Sequence, residues 1–245
     1  MTPSTLVLVH SPLVGPSTWR PFEDTARSAG LDVVRPDLTG VDDAGRPAWH
    51  HLVDTTVEAV SDRSGLVVIG HSGAGAVLPA IGHRLTGRVR ALVFVDAIVP
   101  PAVGEHRASE PFLDFIDGIV VDGLLPRWID WWPPDVGTSL VPSPTDLDEL
   151  RAEMPRLHRS FYDDPVPVPT DWTSGPCAYL RSSPAYDDEH RRAGEFGWPT
   201  ATIDGSHLSI FTDPAAVFAA VRSLVRGPLR PARDSGEAGT APAGA

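Results

Sequence analysis

The stretch Leu66-Val-Val-Ile-Gly-His-Ser-Gly-Ala-Gly75 constrains the chain more than any other. Four apolar residues run straight into Gly70-His71-Ser72-Gly73-Ala74, and a helical pattern follows at once. A strand that turns so abruptly into a helix leaves no room for side chains at the corner, so the positions two before and two after Ser72 must be small. Ser72 then stands in a strained, exposed conformation where the next helix begins, and backbone N–H groups there favour negative charge. The spacing is that of a nucleophile elbow, with Ala74 where the strict motif has glycine.

The rest of the chain keeps the same rhythm. Thr5–Val9 is a continuous apolar run, as expected of a strand buried on both faces. A helix is predicted from Ser17 to Ala29, closed by Gly30, then a strand over Asp32–Arg35 and a helix from Pro47 to Ser61. After the elbow unit, Val89–Val95 is another apolar strand ending at Asp96. Strands and helices in alternation predict an α/β fold with a mostly parallel, doubly wound sheet. Between Pro100 and Pro169 the rhythm breaks into helical pieces with recurring prolines and no central strand, so residues 100–169 read as an inserted helical lid. The pattern resumes with Cys177–Arg181, a helix from Pro184 to Ala193, Thr200–Ile203 and a last helix from Pro214 to Val225. Residues 1–99 and 170–227 then form the core, and residues 228–245, rich in Pro, Gly and Ala, a disordered tail.

Composition removes several classes of function. A net charge of −12 argues against nucleic acid or an anionic membrane as partner. Every one of the 20 basic residues is arginine, so lysine Schiff-base chemistry is excluded. The single Cys177 cannot form an internal disulfide, Leu6–Val9 is too short for a signal-peptide core, and no apolar run reaches the ~20 residues of a membrane span. A soluble cytoplasmic protein is the expectation. No metal signature, Rossmann fingerprint or P-loop is present, so neither a metal nor a cofactor is expected. The sequence sets no oligomeric state.

A serine on an elbow needs a base, and Asp204-Gly205-Ser206-His207-Leu208 offers one on a loop just before the final helix. Of the nine histidines, His207 alone has this placement, which suits it to take the Ser72 proton and return it to a leaving group. With His10-Ser11-Pro12 after the first strand, the Gly70–Ala74 elbow, Asp96 after the next strand and Gly205-Ser206-His207 near the end, the chain resembles the α/β-hydrolase fold superfamily. Within it the chain is similar to small, cofactor-free esterases and hydroxynitrile lyases. The resemblance implies a Ser-His-Asp triad. Its acid usually follows the strand that here is Cys177–Arg181, where Asp187 and Asp188 are the nearest candidates, although Ser183-Pro184 reads as a helix cap that puts Asp187 inside the first helical turn, where interaction with the helix dipole is role enough. Some members carry the acid at the position of Asp96, which is preferred here with Asp187 as the alternative.

The resemblance also implies an oxyanion hole, with the Gly73 N–H as one donor. The second would come from Pro12, which has no N–H. Either the loop shifts so that Ser11 or Leu13 donates, or the Ser11 hydroxyl substitutes, or no oxyanion forms. His10 and His71 flank this region as further substrate-side candidates. Trp128, Trp131 and Trp132 suggest an apolar, aromatic-lined pocket, or equally the lid's own core. The expected reaction is therefore hydrolysis of a small apolar ester, lactone or thioester through an acyl-enzyme. The alternatives are a lyase, cyclase or isomerase using His207 with the Ser11 and Ser72 hydroxyls, and a ligand-binding member without chemistry.

Overall fold

The computed structural model describes residues 4–43 and 47–225; the predicted tail lies outside them. Its centre is a six-stranded, wholly parallel sheet built from β1 (Thr5–Val9), β2 (Asp32–Val34), β3 (Leu66–Ser72), β4 (Val89–Ala97), β7 (Cys177–Arg181) and β8 (Thr200–Thr202), ordered β2-β1-β3-β4-β7-β8. The intervening β5 (Glu105–His106) and β6 (Val166–Pro167) pair only with each other, antiparallel.

Because side chains alternate along a strand, a strand covered on both sides must be apolar at every position. Val7 and Val9 of β1, with Leu66 and Val68 of β3, pack under α2 (Trp49–Ala59) and α3 (Leu78–Arg84) through Leu52, Leu78 and Ile81. Their neighbours Leu6, Leu8, Val67 and Ile69 face the other way, onto Phe22 of α1 (Arg20–Ser28) and Val217, Phe218 and Val221 of α9 (Pro214–Leu224). Each such side chain taken fully out of water contributes about 1.5–3 kcal/mol.

Residues 100–169 hold α4 (Glu110–Asp117), α5 (Pro134–Leu140) and α6 (Pro144–Glu153), joined by loops and 3-10 turns. A separate apolar cluster ties this segment to the core: Ile129, Val141, Leu150 and Met154 pack against Val14 of the first loop and against Leu208 and Phe211 near the chain's end. Glu153 reinforces it by accepting from Ser17 N at 3.0 Å and Ser17 Oγ at 2.5 Å.

Three expected elements differ in detail. The helix after the elbow starts as a 3-10 turn over Gly73–Val77 and becomes α-helical only at Leu78. Pro79 is the cause: it has no N–H to give the Gly75 carbonyl four residues earlier. The helix starting at Pro184 likewise opens as a 3-10 turn before α7 (Asp187–Glu195), and a short α8 (Ser209–Thr212) intervenes between His207 and α9. Among the described residues no helix is long and apolar enough to cross a membrane.

Candidate active site

Ser72 closes β3 with φ 57° and ψ −127°, a left-handed conformation that costs a non-glycine residue about 1–3 kcal/mol. The corner is crowded on every side. A Cβ on Gly70 would lie 2.8 Å from the Leu78 side chain, and one on Gly75 would lie 2.0 Å from the Ile98 carbonyl oxygen. The tightest backbone approach thus falls at Gly75, one residue beyond the motif, which explains why Ala74 is accommodated, fully buried, at the position of the second motif glycine. The Ser72 hydroxyl sits 3.2 Å from the Tyr186 hydroxyl.

His207 lines the same pocket as Ser72, its ring bonded through Nδ1 to Asp96 Oδ2 at 3.3 Å. Asp96 is fully buried near the end of β4, with φ 42°. Its Oδ1 accepts the backbone N–H groups of Ser182 (2.6 Å) and Ser183 (3.1 Å), and Oδ2 also accepts Ser183 Oγ (2.5 Å). Burial alone would raise this carboxyl, but the hydrogen bonds from His207, Ser183 and Ser182 outweigh it and hold Asp96 below the ordinary carboxylate value. An ionised carboxylate only accepts, so His207 Nδ1 carries the proton and Nε2 keeps the free lone pair. Tyr179 of β7 steadies this end of β4: its hydroxyl donates to the Ala97 carbonyl at 3.0 Å and accepts the Ala97 N–H at 3.1 Å.

Asp187 is elsewhere. Its side chain is 62% exposed and paired with Arg181. Ser183 stands at the N-cap ahead of Pro184 as expected, but its side chain makes no capping bond because its hydroxyl donates to Asp96.

Aromatic rings surround the His207 imidazole. Tyr186 stacks on it nearly parallel, at 4.9 Å and 7°, His71 lies at 4.4 Å and Trp128 at 5.8 Å. His71 donates from Nε2 to the His207 carbonyl at 2.8 Å, pinning the loop, and burial first, then the nearby His207, push its pKa down to about 3. His10 is fully buried behind the first loop and does not line the pocket. Its Nε2 accepts the Leu38 N–H at 2.9 Å and its Nδ1 donates to the Ser11 carbonyl at 2.8 Å, so it is a neutral brace whose pKa burial lowers.

Pro12 has no N–H to offer. Leu13 N–H is directed to Ser11 Oγ at 3.3 Å. That hydroxyl lies beside Gly73, 3.2 Å from where a Cβ on the glycine would be. Having accepted from Leu13, Ser11 keeps its own proton to donate.

A pocket opens over these groups, lined by Ser11, Leu13, His71, Ser72, Trp128 and His207 among others. Of the three tryptophans, only Trp128 reaches it. Trp131 is turned into the inserted segment, where its Nε1 donates to the Pro126 carbonyl at 2.9 Å and its ring packs on Phe112 and Phe115. Trp132 is 39% exposed and stacks on Phe115. The three side chains find different partners, so density in sequence did not translate into a shared wall. Among the described residues, no group of three or more His, Cys, Asp or Glu is placed to hold a metal ion.

Reasoning from sequence missed Tyr186, Ser183 and Tyr179. Tyr186 lies 114 residues from Ser72 and carries no motif, although its place just after a core strand was the one signal available.

Comparison with known proteins agrees with this architecture. A model of the alpha/beta hydrolase family matches residues 6–221. A carbendazim hydrolyzing esterase of Nocardioides sp. (strain SG-4G) is 28% identical over 142 residues, 55% of this chain and 51% of that protein. The chain thus matches about half the length of that curated relative. An extracellular alpha/beta-hydrolase from a Paenibacillus species superposes with a TM-score of 0.72 at 17% identity, covering 92% of this chain and 100% of the other. A pyrethroid hydrolase from Sphingobium faniae JZ-2 gives 0.69 at 14% identity, covering 93% and 99%. At such identities the two structures speak for the fold alone, whereas the family match spans nearly the whole chain. With a parallel sheet that carries a strained serine at its centre, the chain belongs to the alpha/beta hydrolase family.

Proposed function

We propose that this enzyme hydrolyses a small apolar ester, lactone or thioester through an acyl-enzyme on Ser72. The observation that carries the reading is the coupling of a strained Ser72 to a pocket it shares with His207, whose ring is oriented by a buried, ionised Asp96.

In this reaction Ser72 Oγ attacks the carbonyl carbon as His207 Nε2 takes its proton. The carbonyl oxygen gains the displaced electron pair and is held by the Gly73 N–H and the Ser11 hydroxyl, which replaces the donor that Pro12 lacks. Asp96 stabilises the imidazolium. His207 then returns the proton to the leaving alcohol or thiol as the tetrahedral species collapses. A water repeats the sequence on the acyl-enzyme, releasing the acid and restoring Ser72.

Leu13, Val14, Leu208 and Trp128 line the pocket beside Ser72, which favours an apolar acyl group, with the inserted segment that carries Trp128 acting as a lid. Likeness to a protein named as a carbendazim hydrolyzing esterase supports an ester-type bond as the target.

Turnover of p-nitrophenyl acetate tests the reading. Ser72→Ala should lose at least about 10³-fold in kcat/KM. Full turnover in that variant would refute it. The non-hydrolytic alternative rests on Pro12 and Ser11, and predicts activity that depends on His207 without any covalent adduct on Ser72.

A further inference from the structure

Beyond the serine, the base, its acid and the oxyanion donors, we propose that Tyr186 is a further catalytic residue, whose hydroxyl donates a hydrogen bond to Ser72 Oγ while its ring backs the His207 imidazole. The inference rests on the reading of Ser72 as nucleophile and adds a group to it.

Geometry brings Tyr186 against both reacting residues. Its hydroxyl is 3.2 Å from Ser72 Oγ, and its ring lies within 7° of parallel to the imidazole at a centroid distance of 4.9 Å. The 3-10 turn Pro184–Tyr186 delivers it there, and that turn is anchored on the same Ser183 that bonds Asp96. One loop therefore fixes the acid and the phenol together.

The direction of the Tyr186–Ser72 bond follows from proton counting. Ser72 has one proton and must surrender it to His207 Nε2 as it attacks. The bond to Tyr186 must then run from the phenol to Oγ. Tyr186 has that proton to give, because burial pushes its pKa up to about 12 and keeps it un-ionised at neutral pH. It also cannot replace His207 as base, for the same reason.

The donor matters at two moments. As the Ser72 O–H bond lengthens, negative charge grows on Oγ and strengthens the bond from Tyr186. When the acyl-enzyme breaks down, Oγ is the leaving group and takes up the electron pair of its bond to the acyl carbon. Tyr186 stabilises that charge until His207 delivers the proton. The ring meanwhile presents its π-face to the imidazole, the side from which a transient positive charge is favoured.

The test is the rate at which a fluorophosphonate phosphonylates the enzyme, followed by intact-protein mass. Tyr186→Phe keeps the ring and removes only the hydroxyl. It should slow labelling by about 10–100-fold while reversible affinity for the probe stays within about 3-fold, and should slow deacylation of p-nitrophenyl acetate similarly. Tyr186→Met, which lacks both hydroxyl and ring, should lose at least as much and serves if the phenylalanine variant melts early. A labelling rate in either folded variant equal to or above that of the unmodified enzyme overturns the role of Tyr186 alone. Absence of labelling at Ser72 in the unmodified enzyme, or equal labelling in Ser72→Ala, overturns the nucleophile reading and this inference with it.

Discussion

Replacing Asp96 by asparagine is expected to cost about 10⁴ in kcat/KM while leaving the fold in place. The size follows from which oxygen does what. Two backbone N–H groups, of Ser182 and Ser183, point at Oδ1 at 2.6 and 3.1 Å. An amide NH₂ cannot face them, so the asparagine oxygen must take that side and the NH₂ must occupy the place of Oδ2. There it meets Ser183 Oγ, which can rotate to accept, and His207 Nδ1, which must then give up its proton. The imidazole switches to the tautomer with its proton on Nε2 and can no longer accept from Ser72. Four decades correspond to about 5 kcal/mol of transition-state stabilisation. The assay is kcat/KM for p-nitrophenyl acetate beside a thermal melt, with Asp187→Asn in parallel. Asp187 is 62% exposed in a surface pair with Arg181, an interaction generally worth at most about 1 kcal/mol, so its variant should stay within about 3-fold. A folded Asp96→Asn retaining more than about a tenth of the activity, or a large loss in Asp187→Asn, would refute the assignment of the acid.

Three further outcomes follow from the same contacts. Ser11→Ala should lower kcat by about 10²–10³ with little change in KM, because the hydroxyl stands in for the donor missing at Pro12; a change under about 3-fold would return that role to a backbone N–H. Gly75→Ala should destabilise by about 3 kcal/mol, lowering the melting temperature by roughly 6–12 °C, since its Cβ would sit 2.0 Å from the Ile98 carbonyl oxygen. Stability to urea should decline as pH falls below 6.5. His10 and His71 are held neutral in the fold, His71 down to about 3, so between those values the unfolded chain binds more protons and stability present above pH 6.5 is lost. Each contributes a slope of at most about 1.4 kcal/mol per pH unit, and a flat stability from pH 7 to 5 would contradict this.

Much of the architecture is legible in the sequence because sheet and helix leave periodic signatures. Leu6–Val9 and Leu66–Ile69 are apolar without a break since both faces of the sheet are covered, and the parallel order follows. The elbow is legible because a backbone crossing demands small residues at set positions. What escapes are contacts between side chains on separate loops. Ser183 looks like a helix cap in sequence, and only its distance to Asp96 shows where its hydroxyl goes. Tyr186 is adjacent to Asp187 in sequence, but a 3-10 turn sends the phenol inward and the carboxylate to solvent. The tryptophans fail for the opposite reason: neighbours in sequence, they pack on different partners, and of the three just Trp128 lines the pocket.

The central claim is that Ser72 becomes covalently acylated. Acid quenching during turnover of p-nitrophenyl acetate, followed by peptide mapping, addresses it directly. The account predicts one acetyl group on Ser72, absent from Ser72→Ala and from His207→Gln. Steady turnover with no acetyl on Ser72, or with the acetyl on another residue, would contradict it.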